Sequence, residues 1–107
     1  MTGFSTLYVT AVDADKAAAL SRDLLERRLV ACANIFPKVR SLYLWKGEIC
    51  DEPETVLICK TRSDLAEKAI ERVRKIHSYD CPCVIVLPMT AGNPDYLEWI
   101  AGETAPD

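Results

Sequence analysis

Glycine and histidine are scarce in this chain, which has four glycines and one histidine among its 107 residues. Neither a P-loop nor a Gly-x-Gly-x-x-Gly motif occurs, so a glycine-rich phosphate-binding loop is not expected. Basic residues are not in excess either, because 13 Lys and Arg stand against 16 Asp and Glu, for a net charge of −3. This charge balance argues against a dedicated nucleic-acid-binding protein.

The chain also lacks any apolar run near the ~20 residues that a membrane-spanning helix needs. Its first residues carry no basic segment followed by a long apolar stretch, so no signal peptide is evident. We therefore predict a cytoplasmic protein that does not associate with membranes. A hydrophobic content of 50% and a charged content of 27% are typical of a globular protein, and we predict a single domain over residues 1–107.

No Cys-x-x-Cys motif occurs among the five cysteines, so a thioredoxin-like redox pair and a zinc ribbon are not indicated. An odd number of cysteines leaves at least one unpaired within the chain. In a reducing cytoplasm we expect five free thiols, most of them buried as small apolar side chains.

Hydrophobic patterning predicts an α+β fold with the element order β-α-β-β-α-β and an extra C-terminal helix. This is the ferredoxin-like pattern, an antiparallel sheet with helices on one face. A cap at Asp13 or Asp15 begins the first helix, a cap at Ser63 or Asp64 begins the second, and Asn93 begins the third. The predicted strands are 4–12, 30–45 interrupted by Pro37, 48–59 interrupted by Pro53, and 84–87, and the predicted helices are 14–28, 63–76 and 94–102.

The central hairpin, turning at Lys46-Gly47, is long for a chain of this size. Sixteen extended residues from Ala31 to Lys46 would span about 50 Å. A compact domain of this length has a diameter near 34 Å, from a radius of gyration of roughly 13 Å. Unless Pro37 folds the hairpin back within a monomer, its exposed strand edges need a partner. We predict a homo-oligomer in which these edges pair between subunits.

The spacing His77-x3-Cys81-x-Cys83 is the cluster most suggestive of chemistry. Residues two apart on an extended strand point to one face, so the two thiols can converge, and two sulfurs with an imidazole suit Cu(I) or Zn(II). The alternative is that both cysteines are packing residues and that His77 caps the last carbonyls of the second helix.

Lys60 follows a buried strand and can meet an anionic ligand as a point charge, or it can be an ordinary charge at a strand end. Several aromatic residues have polar tips, and packing in the core or at an interface accounts for such residues equally well. They are Tyr43, Trp45, Tyr79, Tyr96 and Trp99.

Taken together, segments spread along nearly the whole chain resemble the CutA family of divalent-cation tolerance proteins. They occur in the family's order. The segments are Leu29-Val30-Ala31-Cys32-Ala33-Asn34-Ile35, 41–49 (SLYLWKGEI), Lys60-Thr61, His77-Ser78-Tyr79-Asp80-Cys81-Pro82, Leu87-Pro88 and 92–100 (GNPDYLEWI).

The resemblance implies a ferredoxin-like subunit in a tight trimer that is similar in architecture to PII signalling proteins. It also implies a cytoplasmic role linked to copper and other divalent metals, and it brings no catalytic reaction with it, so we predict a protein that is not an enzyme. The cleft between subunits would collect the matched polar and aromatic positions, which are Cys32, Tyr43, Trp45, Lys60, His77 and Tyr79.

The chain departs from the family where His-Pro-Tyr-Glu-x-Pro-Glu is usual, because it reads His77-Ser78-Tyr79-Asp80-Cys81-Pro82-Cys83. The acid after the proline is replaced by Cys83, which shifts the local donors toward soft metals. We therefore hypothesise a Cu(I) site of His77, Cys81 and Cys83 near a subunit boundary.

Two other classes of function stay open. One is a PII-like regulator that binds a small anionic ligand through Lys60 and Arg62 and signals to an unidentified partner protein. The other is a cofactor-free enzyme that uses His77 as acid or base, with Asp80 as the only titratable neighbour in the motif.

Overall fold

The computed structural model describes residues 2–104 and contains four strands and three α-helices in the predicted order. The strands are β1 (Phe4–Ala11), β2 (Cys32–Trp45), β3 (Glu48–Arg62) and β4 (Val84–Pro88), and the helices are α1 (Ala14–Glu26), α2 (Ala66–Ile76) and α3 (Pro94–Glu103).

The four strands form one antiparallel sheet in the order β2-β3-β1-β4. In β1 every second residue is buried, because one face of the sheet packs against α1 and α2. Leu7 and Val9 from the sheet join Leu24 of α1 and Val73 of α2 in one core. This arrangement confirms the ferredoxin-like α+β fold and leaves the opposite face of the sheet, called here the open face, without those helices.

The strands β2 and β3 continue beyond the rest of the sheet as a two-stranded ribbon. β1 pairs with β3 only from Thr55 to Arg62, whereas β2 pairs with β3 as far as Trp45 and Glu48. The molecule accordingly measures 44 × 25 × 21 Å, with a Cα radius of gyration of 14.3 Å. The hairpin therefore projects beyond the rest of the chain, as its length predicted.

Neither proline ends a strand, contrary to the expectation that Pro37 and Pro53 interrupt them. Pro37 lies in a bulge between Phe36 and Val39, where Lys38 has a φ of 61°. A bulge leaves its extra residues out of the ladder, so a proline there removes no pairing. Pro53 lies opposite Arg40 in the ribbon, where β3 is paired on one side only.

Two of the predicted helix caps are present and one is wrong. The Asp13 side chain accepts from the Lys16 N–H, and the Asn93 side chain accepts from the Asp95 N–H. At α2 neither Ser63 nor Asp64 caps the helix, because residues Ser63–Leu65 form a short 3-10 turn before it. Ser63 Oγ instead lies 2.7 Å from Ser5 Oγ, and Asp64 binds Arg62.

Candidate functional site

The five residues expected to line a cleft, other than His77, lie in three separate places within one subunit. Cys32 and Lys60 face each other across β2 and β3. Tyr79 lies in the segment before β4, and Tyr43 and Trp45 lie at the far end of the ribbon. Tyr43 pairs with Cys50 on β3. Cys50 lies ten residues before Lys60 on the same strand, a distance of about 33 Å. One subunit therefore cannot gather all five side chains around a single small ligand.

Cys32 and Lys60 form a small polar cluster on the open face together with Asn34 and Tyr96. The Lys60 ammonium donates to Asn34 Oδ1 at 2.9 Å and lies 5.8 Å from the centre of the Tyr96 ring. Cys32 Sγ is 3.4 Å from the Tyr96 hydroxyl. The Cys32 contact, followed by burial, raises the pKa of Tyr96 to about 12. The recorded partners of the Lys60 charge are thus a neutral amide and a ring face rather than a carboxylate.

Tyr79 belongs to a second group, at the base of the ribbon. Its hydroxyl donates to Glu54 Oε2 at 2.9 Å, and its ring centre lies 4.7 Å from that of His77. Burial and then the Glu54 hydrogen bond raise the pKa of Tyr79 to about 12. Tyr79 therefore stays a neutral hydrogen-bond donor throughout the physiological pH range.

Both ring nitrogens of His77 form hydrogen bonds with backbone groups. Nε2 lies 2.7 Å from the carbonyl oxygen of Thr10, and Nδ1 accepts from the Tyr79 N–H at 3.0 Å. An acceptor role for Nδ1 requires the proton of the neutral ring to be on Nε2. His77 does not cap the last carbonyls of α2 with its side chain, although its backbone N–H bonds to Val73 O.

The residues of the hypothetical copper site do not form a three-ligand group within one subunit. Among residues 2–104, no three His, Cys, Asp or Glu side chains are close enough to hold a metal ion. A metal on His77 would also have to displace one of its two hydrogen bonds. The donors that the structure describes within a single chain therefore do not fit the copper ion that the sequence suggested.

All five cysteines are free thiols, as expected, but most of them are not buried. Only Cys59 is buried, Cys32 and Cys50 are half-buried, and Cys81 and Cys83 are exposed. Burial raises the pKa of Cys59 to about 12, which keeps that thiol protonated and inert. The expectation of buried thiols is wrong because three of the five lie on a ribbon or a loop outside the core.

The ribbon end carries the remaining two predicted residues. The Tyr43 hydroxyl donates to Glu52 Oε1 at 2.7 Å, and this bond raises the pKa of Tyr43. Lys46 Nζ lies 5.8 Å from the Trp45 ring, which is half exposed. Both rings are partly exposed, Tyr43 by 39% and Trp45 by 51%.

Arg62, the second basic residue of the anion hypothesis, is already paired. Its Nε lies 3.0 Å from Asp64 Oδ1, and its Nη2 lies 3.3 Å from Asp64 Oδ2. The sequence did not single out Asn34 or Glu54, and it offered only packing for Tyr96. No sequence pattern around these three residues identifies them, because each contacts a residue that is distant in sequence.

An open cavity of about 290 Å³ lies beside His77 between α1 and the end of α2. Its polar lining comes from Lys16, Asp23, His77 and Ser78, over an apolar floor that includes Leu20. None of the other five cleft residues lines it, so it is separate from the expected cleft. Within residues 2–104, no helix is long and apolar enough to span a membrane.

Residues 5–103 match the family model described as CutA1 divalent ion tolerance protein. The Protein CutA homolog of Xenopus laevis is 41% identical over 103 residues, which are 96% of this chain and 68% of that protein. The Divalent-cation tolerance protein CutA of Thermus thermophilus is 36% identical over 98 residues, which are 92% of this chain and 95% of that protein. The chain spans only 54% of the Arabidopsis thaliana and Mus musculus relatives.

Solved structures agree with this assignment. CutA1 from Oryza sativa superposes with a TM-score of 0.93 at 36% identity and covers 100% of both chains. CutA1 from Ehrlichia chaffeensis superposes with a TM-score of 0.92 at 38% identity and covers 98% of both chains. The chain belongs to the CutA1 family of divalent ion tolerance proteins.

Proposed function

We propose that this chain acts as a homotrimer in the response to divalent metals, without catalysing a reaction, and binds its ligand in clefts at the subunit boundaries. The observation that carries the proposal is the projecting ribbon with its exposed apolar side chains. The family name supports the metal-tolerance role, because relatives such as that of Thermus thermophilus are called divalent-cation tolerance proteins.

The ribbon exposes more apolar surface than an isolated subunit is expected to tolerate. Leu42 is 62% exposed, Leu44 is 72% exposed and Ile49 is 77% exposed. Leu44 and Ile49 are cross-strand partners, so they form one contiguous apolar patch near the ribbon end. Such patches mark interaction surfaces, and β2 adds an unpaired strand edge beside this one.

The scattered cleft residues support the same assembly. Tyr43 lies about 33 Å along the ribbon from Lys60, and Trp45 lies farther still, so only a neighbouring subunit can bring these two rings to the Cys32–Lys60 group. In the proposed trimer, the ribbon of one subunit reaches the base of the next. Each cleft then combines the aromatic rings of one chain with the thiol, ammonium and phenol of another.

The metal part of the proposal concerns the assembled protein. Residues 2–104 of one chain do not bring together three suitable donors, as described above. We therefore expect a divalent ion, copper first, to be retained only by the trimer. The protein is purified without chelators or tags. Elemental analysis and native mass spectrometry then report the bound metal and the oligomeric state of the same sample. Metal-free trimers that take up no added ion would contradict this part of the proposal.

A small anionic ligand is the second candidate, and the Lys60 ammonium favours it. That charge has a neutral amide and a ring face as partners, so it can accept an anion without first losing an ion pair. A PII-like regulator of this kind would signal to a partner protein. A thermal-shift screen of metals against nucleotides and small anions separates the candidates, because a ligand that binds the folded state raises its melting temperature.

We place the protein in the cytoplasm, where five free thiols persist. Relatives differ in this respect: that of Arabidopsis thaliana is called chloroplastic, and one from Archaeoglobus fulgidus is called periplasmic. Fractionation of cells that express the tagged chain tests the assignment.

The deciding experiment compares two leucines in native mass spectrometry. We expect Leu44→Glu to convert the trimer into monomers, because it puts a charge into the apolar patch of the ribbon. Leu25→Glu is the matched control, because Leu25 is a 39% exposed leucine on α1, away from the ribbon. A trimer that survives Leu44→Glu, or a wild-type chain that is monomeric at micromolar concentration, overturns the proposal.

A further inference from the structure

Cys81 and Cys83 form an exposed pair of thiols that are not among the residues proposed to line the cleft. Both are free and exposed, in contrast to the buried Cys59. Only Pro82 separates them, in the sequence Cys81-Pro82-Cys83. Cysteine is frequent in protein cores, so two exposed thiols this close together call for a role other than packing.

The spacing permits a disulfide between the two residues. Two residues at i and i+2 of an extended chain have Cα atoms about 6.6 Å apart. Disulfides bridge Cα atoms up to about 6.8 Å apart, and the backbone at Pro82 must bend so that the two Cβ atoms approach to about 4 Å. That adjustment is accessible, since Cys81 lies in a bend and residues 82–83 precede β4, which begins at Val84.

We propose that Cys81 and Cys83 are a reversible redox site that exchanges with a low-molecular-weight disulfide such as oxidised glutathione. The Cys81 thiolate attacks one sulfur of the small disulfide, which forms a mixed disulfide and releases one small thiol. The Cys83 sulfur then attacks the Cys81 sulfur, loses its proton to solvent and displaces the second small thiol. The protein gains one intrachain disulfide, and the small disulfide is reduced to two thiols.

The surroundings of the two thiols assign these roles. Cys81 is open to solvent, so a small disulfide can reach it without a change in the fold. Cys83 directly precedes β4 and is linked to β1 through its carbonyl oxygen, so Cys81, in the bend, is the freer of the two to react first. Once the mixed disulfide has formed, the attack by Cys83 is intramolecular and gains from proximity.

The disulfide would restrain the chain next to Tyr79. Tyr79 is two residues before Cys81, and its N–H and hydroxyl are bound to His77 Nδ1 and Glu54 Oε2. Cys83 is in turn linked to β1 through the bond from Thr10 N–H to its carbonyl oxygen, at 3.4 Å. Closing the ring therefore restricts the motion of the segment that carries Tyr79.

Peptide mapping of the intact protein tests this proposal. The protein is incubated with EDTA in glutathione buffers of increasing oxidised fraction, alkylated and then digested with trypsin. The sequence after Lys75 contains no Lys or Arg, so the peptide 76–107 carries Cys81 and Cys83 and no other cysteine. We expect this peptide to lose two hydrogens in mass and both alkylation sites as the buffer becomes oxidising, and to recover them on reduction.

Single variants distinguish the steps. We expect Cys83→Ser to stop at a glutathione adduct on Cys81, and Cys50→Ser, which leaves the pair intact, to behave as wild type. The proposal is overturned by a peptide that stays fully alkylated in every buffer, by two stable glutathione adducts on the wild-type peptide, or by a disulfide that links two chains instead. The test does not depend on the trimer, since native mass spectrometry of the same samples reports the oligomeric state separately.

Discussion

At the scale of a single residue, Arg28 shows how one side chain joins two helices. It has a φ of 58°, in the left-handed region that usually takes glycine after a helix. The Leu29 N–H bonds to Leu24 O and the Arg28 N–H to Leu25 O, which is the Schellman arrangement. The Arg28 guanidinium donates to Gly102 O at 2.9 Å and Glu103 O at 3.0 Å, where the end of α3 favours a positive charge.

This arrangement predicts an order of stability for two substitutions of Arg28. Both Arg28→Ala and Arg28→Gly remove the bonds to α3 and lower the stability of the protein. An alanine at this position is strained by the left-handed backbone conformation, whereas a glycine is not. We therefore expect the glycine variant to be more stable than the alanine variant by about 1 kcal/mol. Urea unfolding measures the difference, and an alanine variant as stable as wild type would show that the bonds to α3 contribute nothing.

At the scale of the elements, a bidentate ion pair joins α1 to α2. Asp23 Oδ1 and Oδ2 each accept from Arg72, from Nε and Nη2, at 2.8 Å. Both side chains are about one quarter exposed. The hydrogen bonds from Arg72, with smaller contributions from Arg27, hold the pKa of Asp23 below its usual value of 3.8.

The lowered pKa of Asp23 gives this pair a pH dependence of known sign. A carboxyl whose pKa is depressed by folding stabilises the folded state above its unfolded pKa, and that stability is lost as the pH falls through the folded value. We therefore expect Asp23→Asn to lower the melting temperature by a few degrees at pH 7, and the gap to wild type to close below pH 3.8.

Glu26→Gln is the matched control for Asp23→Asn, because it removes a carboxylate from the same end of α1 that is not bonded to Arg72. Thermal unfolding followed by circular dichroism from pH 7 to pH 3 compares the three proteins. A gap that stays constant over this range would mean that Asp23 acts through packing and not through its charge.

At the scale of the whole molecule, the 44 Å length comes from the ribbon, whose two strands near its end pair only with each other among residues 2–104. A ribbon of two strands is marginally stable on its own, so its order in the folded protein depends on neighbours. The proposed trimer supplies them, and this couples the folding of each subunit to the association of three.

That coupling predicts unfolding that depends on protein concentration. When one native trimer gives three unfolded chains, each tenfold dilution lowers the free energy of unfolding by about 2.8 kcal/mol per trimer. We expect the urea midpoint to fall on dilution and a folded single subunit to be absent at nanomolar concentration. Tryptophan fluorescence follows the transition through Trp45 and Trp99, and a midpoint that is constant over a hundredfold dilution argues for a monomer.

The sequence by itself determined the features that depend on neighbouring residues. The order of the elements, the caps at Asp13 and Asn93 and the tight turn at Lys46-Gly47 are all present in the structure. Each follows from local patterning, because a cap or a turn is set by the few residues that form it. The excess length of the hairpin was predictable for the same reason, since it follows from counting extended residues.

Only the tertiary structure decided which distant groups meet. Both ring nitrogens of His77 are hydrogen-bonded within one chain, to the Thr10 carbonyl, 67 residues away in sequence, and to the Tyr79 N–H. The Tyr79 hydroxyl donates to Glu54, which is 25 residues away in sequence, and Cys32 Sγ contacts the Tyr96 hydroxyl, which is 64 residues away. Such contacts depend on strand register and helix packing, which bring together residues that no spacing along the chain relates. Sequence spacing could therefore propose the donors of a site but could not determine which of them remain free to bind.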